Sequence, residues 1–200
     1  FATAPLGATQ KALAKAGYRN PVHATSATTD LLPIMLRDSA HIQEADAAYL
    51  NQKTNRRGQP PVVPLYTVAD ADASLKLIRP HDYNEPLPLP GGVVVTHVDA
   101  GHILGAALTL IEIPFNGGDF LRIGLSFDLG RRNLPLLHDP VQLQDMDILI
   151  TETTYGDRLH DNALNAREEL RSGIVRALGR GGKVLIPTFA LGRAQEIVYH

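Results

Sequence analysis

The 200-residue chain has no cysteine. That absence excludes disulfides and thiolate metal sites together, so any zinc or manganese would have to be held by His, Asp and Glu. It also lacks an excess of one charge: 19 basic and 21 acidic side chains leave a net charge of −2. Such a balance gives no support to broad electrostatic capture of nucleic acid, although a local basic groove is compatible with it. No apolar run reaches transmembrane length, no signal-peptide pattern opens the chain, and no internal repeat or low-complexity tract appears. The expectation is therefore no membrane association and, by default, a cytoplasmic location. The chain opens on Phe1 without methionine and reads as an internal piece. What it does have is a hydrophobic share of 44% with 20% charged residues, which suits a sizeable core. Its length fits one domain, or one domain and the start of another.

The first half reads as helices. "ATQKALAKAGY" (8–18) is alanine-rich and stops near Gly17. "PVHATSATTD" is extended and then turn-like. From Asp30, a natural N-cap, apolar residues recur at helical spacing (Leu31, Ile34, Met35, Ile42, Ala45, Tyr49), with Pro33 tolerable in the first turn. Thr67 and Asp70 form a capping-box pattern opening a short helix to about Leu77. After "EPLPLPGG" the pattern changes to strands over 92–98, 106–113, 120–126 and 147–152, with "NGGD" (116–119) as a hairpin turn. A helix over about 162–179, a buried strand in "GGKVLIP" and a final helix in "ALGRAQEIVYH" complete the chain. Helices, an antiparallel run, then strand–helix alternation predict a layered α/β fold with a new unit from residue 158.

Three successive strand ends or loops present groups suited to chemistry. His102 stands in "AGHILGA", between Gly101 and Gly105. Glycines there allow close backbone approach, and a histidine so held reaches a metal without neighbouring side chains in the way. A surface or capping histidine is the equal alternative. Asp128 directly follows the apolar strand of "IGLSFDLGRRN". A carboxylate at a strand end is a common metal-ligand position, and a turn aspartate is the competing reading. Glu152 ends the strand of "DILITETTYGDRLH". In "IPTFALGRAQE" Arg193 and Glu196 are either site residues or a solvated helix face.

Taken together and in order, these stretches resemble the β-CASP branch of the metallo-β-lactamase fold hydrolases. The resemblance rests on "AGHILGAA", "SFDLGRRNLPLLHDP", "ETTYGDRLH" and "IPTFALGRAQE", together with "YRNPVHATSATTDLLPIMLRDSAHIQE" before them. It implies a partial αββα metallo-β-lactamase sandwich over residues 1–157 and the beginning of an α/β β-CASP domain over 158–200. It further implies two divalent metal ions, zinc by family habit. His102 would be a ligand of one ion, Asp128 the carboxylate bridging both, and Glu152 the acidic residue that orients a proton-donating histidine. Arg193 is the candidate substrate contact. The implied activity is hydrolysis of phosphodiesters in single-stranded RNA by a metal-activated water. A homodimer and the subunits of a processing complex are both compatible as partners.

Two departures accompany the resemblance. The family's HxHxDH motif, counted back from Tyr18 without gaps, falls on Phe1, Thr3, Pro5 and Leu6, none of which replaces a histidine as a metal ligand. Either the chain begins after that motif or the motif is lost, and the 200 residues alone are expected to be inactive. Phe127 stands where the family has glycine, so its ring either displaces the metal-facing loop or enters the core. His97 and Asp99 are nearby substitutes, with a solvated strand face the expected alternative. Two rival functions follow: a non-catalytic relative serving as a subunit of an RNA-processing complex, and a metallohydrolase of small esters or thiolesters.

Overall fold

A computed structural model describes residues 18–53, 60–159 and 163–199. The expected helix over 8–18 falls, apart from Tyr18, outside the described residues, as do Phe1, Thr3, Pro5 and Leu6. The mixed α/β class is as expected. Strand β1 (Val22–Thr25) leads into helix α1 (Ser26–Lys53), and the short helix α2 (Val68–Leu75) returns to strand β2 (Ile78–His81). β1 and β2 pair in parallel. A second, five-stranded sheet follows, made of β3 (Pro86–Pro88), β4 (Val94–Asp99), β5 (Ala107–Phe115), β6 (Asp119–Ser126) and β7 (Ile148–Thr151) in that spatial order. Helices α3 (Ala163–Gly179) and α4 (Arg193–Tyr199) come last. Among the described residues no helix is long and apolar enough to cross a membrane.

Helix α1 begins four residues before the expected N-cap. Thr25, not Asp30, caps it: its Oγ1 accepts the Thr28 N–H at 3.3 Å, and its carbonyl accepts the Thr29 hydroxyl at 3.1 Å. Pro33 therefore lies inside the helix rather than in its first turn. A proline there forfeits one ladder hydrogen bond, so tertiary packing has to compensate. The packing comes from a stripe at Thr28, Leu32, Leu36, Ala40 and Ala47, all buried on one face. Leu32, Leu36 and Ala40 meet Tyr66, Ala71 and Ile78 in the first core cluster. A fully buried leucine contributes about 1.5–3 kcal/mol through apolar area alone, so Leu36 and its neighbours bind the helices to the β1–β2 pair. The capping box of α2 has both halves: Asp70 N–H donates to Thr67 Oγ1, and Thr67 N–H donates to the Asp70 carboxylate.

The larger sheet has the expected strands to within two residues. Its hairpin turn at Asn116–Gly118 depends on Gly117, with φ +76°. β3 is an edge strand of Pro-Leu-Pro, a composition tolerated only where few ladder N–H groups are needed. β7 joins the opposite edge parallel to β6. A second core cluster of Val98, Ala100, Ala106 and Leu108, with Ile103 and Leu143 packed on it, lies at the β4–β5 junction.

One expectation fails outright. "GGKVLIP" is not a buried strand: residues 183–189 join no ladder among the described residues, and Leu185 is 90% exposed. A short apolar run becomes a strand only when a neighbouring edge accepts its hydrogen bonds and covers its side chains, and no described strand pairs with this one. β7 is exposed along its whole length for the same reason, with an apolar Ile-Leu-Ile facing no further strand among the described residues.

Candidate functional site

Sheet direction brings the expected site residues together. β4 and β6 are each antiparallel to β5, and β7 is parallel to β6, so β4, β6 and β7 run the same way. Their carboxyl ends open at one end of the sheet. His102 follows the end of β4, Asp128 the end of β6, and Glu152 the end of β7. Ser126 and Thr151 are register partners, which aligns the last two ends.

Backbone contacts then draw the loops against one another. Gly130 N–H donates to Ala100 O at 2.8 Å. A methyl group on Gly130 would lie 1.8 Å from Gly101 O and 2.6 Å from His102 N, so the segment after Asp128 presses directly on the backbone of the His102 loop. Glu152 N–H donates to Ser126 O at 3.1 Å. The Glu152 carboxylate accepts the Leu129 N–H on one oxygen and the Thr154 N–H on the other, both at 3.2 Å. Its pKa is lowered, first by the Thr154 side chain's hydrogen bond and then by those two N–H groups, against opposition from burial and from Asp128. Glu152 is thus an ionised tie that holds the Asp128 turn.

His102 is exposed between buried Gly101 and buried Gly105. The glycines beside it serve packing. A Cβ at Gly101 would meet His138 O and Pro140 N at 2.8 Å, and one at Gly105 would meet Thr28 Oγ1 at 2.4 Å. Both have positive φ, +62° and +85°. Room for the imidazole comes from the loop's position at the sheet's end, and the glycines let three other segments press against that loop. Asp128 adopts φ +51°, which an aspartate tolerates better than most residues. Phe127 does not enter the core: it is 50% exposed, beside a turn whose Gly130 N–H still reaches Ala100 O.

His97 and Asp99 have structural surroundings of their own. The Asp99 carboxylate accepts the Gly101 N–H at 2.8 Å and braces the loop. His97 is not on a solvated face. Its Nδ1 is buried with no hydrogen-bond partner among the described residues, and its ring lies 6.2 Å from that of His81, which in turn lies 6.2 Å from that of His23. Burial, then the neighbouring His81 and His23, lower its pKa. Arg193 begins α4 and pairs with Glu196, its Nη1 2.7 Å from Oε2. The preceding Gly192 sits against the Ile103 side chain of the His102 loop.

Imidazole nitrogen and carboxylate oxygen are the donor types zinc favours, and the loop contacts bring one of each to the same end of the sheet. Among the described residues, however, no group of three or more His, Asp or Glu side chains could hold a metal ion. The two donors fit part of a metal site and do not complete one. Sequence reasoning missed the residues that fix the loop: Thr25, Thr28, Tyr83 and Gly130. Tyr83 donates its hydroxyl to Ala106 O at 2.8 Å, and burial with Asp99 nearby raises its pKa. The signal for the threonines was the Ser/Thr-rich run at the start of α1, which local pattern reads as a turn.

No family model matches the chain. Individual relatives do. The chain is 34% identical over 187 residues to ribonuclease TTHA0252 of Thermus thermophilus, covering 94% of this chain and 38% of that protein. It is 34% identical over 189 residues to endoribonuclease YSH1 of Gibberella zeae, covering 93% and 20%. To the transcription termination factor FttA of Methanocaldococcus jannaschii it is 32% identical over 187 residues, covering 91% and 26%. Among solved structures, a subclass B3 metallo-β-lactamase from a soil metagenome matches with a TM-score of 0.34 and 16% identity, over 77% of this chain and 55% of that one. The chain spans well under half the length of the curated relatives named here. By sequence, across nearly all of its length, the chain is a relative of the β-CASP nucleases among the metallo-β-lactamase fold hydrolases.

Proposed function

We propose that this chain is part of a metal-dependent hydrolase that cleaves phosphodiesters of single-stranded RNA. The observation that carries the reading is the convergence of His102, Asp128 and Glu152 at one end of the sheet, within the stretches that resemble the nuclease motifs. In this reading His102 is a ligand of one ion and Asp128 bridges two, with zinc the metal, and the remaining ligands come from outside the described residues. A bound pair of divalent ions would supply an activated water and charge stabilisation at the leaving oxygen. The chain's own residues do the holding: Glu152 fixes the Asp128 turn, and Arg193, with 58% of its side chain exposed, contacts a phosphate. The metallo-β-lactamase domain over residues 1–157 gives way to the β-CASP unit from residue 158, and the partners are RNA and a second copy or the subunits of a processing complex.

The test is cleavage of a labelled single-stranded RNA by the native polypeptide, whose intact mass is measured first. EDTA-sensitive cleavage, lost in Asp128→Asn and in His102→Ala, supports the reading. Cleavage indifferent to EDTA and to both substitutions overturns it. A second reading, a non-catalytic subunit of an RNA-processing complex, is favoured by Phe127, which stands exposed beside Asp128 where the resembled nuclease motif has glycine. RNA binding without cleavage at saturating zinc would select it.

A further inference from the structure

The His102 loop is attached to the rest of the molecule through a carbonyl that two buried hydroxyls share. Gly105 O lies 2.8 Å from Thr25 Oγ1 and 3.1 Å from Thr28 Oγ1. The threonines are 5% and 6% exposed and lie 2.9 Å apart. They belong to the last position of β1 and the first turn of α1, some 80 residues away in sequence. A carbonyl oxygen has two lone pairs, and here each has a hydroxyl donor within reach. Thr25 Oγ1 also accepts the Thr28 N–H, which fixes its own orientation. The fit is close enough that any side chain at position 105 would strike Thr28.

We infer that Thr25 and Thr28 are positioning residues that set where His102 stands relative to Asp128. The inference rests on the reading of these two as metal ligands. The loop between β4 and β5 is held on its two sides by different partners. Gly130 grips Ala100 O from the Asp128 side, and the threonine pair grips Gly105 O from the helix side, with Tyr83 on the adjacent Ala106 O. His102, exposed between these anchors, has little backbone freedom left. Removing the hydroxyls while keeping the shape leaves Gly105 O buried without donors and frees the helix-side anchor. Because metal ligands must be held within a few tenths of an ångström, a loosened anchor weakens the site before it weakens the fold.

The experiment uses the native polypeptide, in which the remaining proposed ligands are present, with Thr25→Val/Thr28→Val, Thr28→Val alone in case the double variant does not fold, and Thr28→Ser, which restores the hydroxyl. Amide hydrogen exchange by NMR reads the loop, and broadening by manganese(II) reads the two proposed ligands. The expected result is exchange about 5- to 100-fold faster at residues 100–106, with α1 and the sheet ladder little changed. In wild type, manganese broadens the His102 and Asp128 amides together. In the valine variants that joint broadening is lost, and in Thr28→Ser it returns. Unchanged exchange in the loop, or an equal loss of protection throughout α1 and the sheet, overturns the positioning role. Accelerated loop exchange with no manganese broadening at His102 or Asp128 even in wild type upholds the anchor and overturns the metal reading instead.

Discussion

Gly130→Ala is the substitution that most directly challenges the described site. Gly130 needs no unusual φ, so the residue's backbone would accept alanine without strain. The obstacle is space alone. The new methyl would sit 1.8 Å from Gly101 O, 2.1 Å from Gly101 C and 2.6 Å from His102 N, all backbone atoms that cannot rotate away. Restoring ordinary contact requires the two loops to separate by roughly 1.5 Å. Overpacking of this kind costs about 1–3 kcal/mol. Separation also breaks the 2.8 Å bond from Gly130 N–H to Ala100 O, worth about 1 kcal/mol net. The sum, about 2–4 kcal/mol, corresponds to a fall in melting temperature of roughly 5–15 °C for a chain of this size. Thermal unfolding by circular dichroism measures it. The informative comparison is Gly117→Ala, where φ is +76° but the added methyl meets nothing within 4 Å. That variant pays only for its left-handed backbone, about 1–2 kcal/mol. A Gly130→Ala protein that melts within a degree of wild type, or no lower than Gly117→Ala, would refute the close approach of the His102 and Asp128 loops.

Three further outcomes are expected. Because the fold lowers the His97 pKa, stability is complete above the unfolded value near 6.5 and declines as pH falls toward the folded value, by at most about 1.4 kcal/mol per pH unit. Urea unfolding of wild type and His97→Phe between pH 8 and 5 reads this as the difference between two curves, and parallel curves would contradict it. Thr67→Ala removes half of the α2 capping box and is expected to lower stability by about 0.5–2 kcal/mol in the same assay. Gly173→Ala, inside α3 with open space around the added methyl, should raise it by about 0.5–1 kcal/mol, provided that this helix unfolds with the rest.

Elements whose evidence is local were legible. The box at Thr67 and Asp70, the Asn-Gly-Gly turn and the alternating strands on either side of it each carry their reason within a few residues. Where partners decide, the sequence misled. The Ser/Thr run at the start of α1 looks like a turn because serine and threonine compete with the backbone for hydrogen bonds. In the fold Thr25 uses that capacity to cap the helix and to hold Gly105, which draws the helix start back to Ser26. The run at 183–189 has strand composition, but composition supplies no neighbouring edge.

The candidate site divides along the same line. His102, Asp128 and Glu152 could be singled out because each stands just past an apolar strand, and parallel strand direction is enough to bring such positions together. The purpose of the glycines could not be read in this way. A glycine beside a histidine suggests space for a ligand, whereas Gly101, Gly105 and Gly130 are each pressed against backbone or a threonine from a segment distant in sequence. Only distances across the fold distinguish an opening from a close contact. Glu152 makes the same point chemically: its place past a strand end does not reveal that each of its oxygens accepts a backbone N–H. Through the Leu129 N–H it ties down the turn on which Asp128 stands.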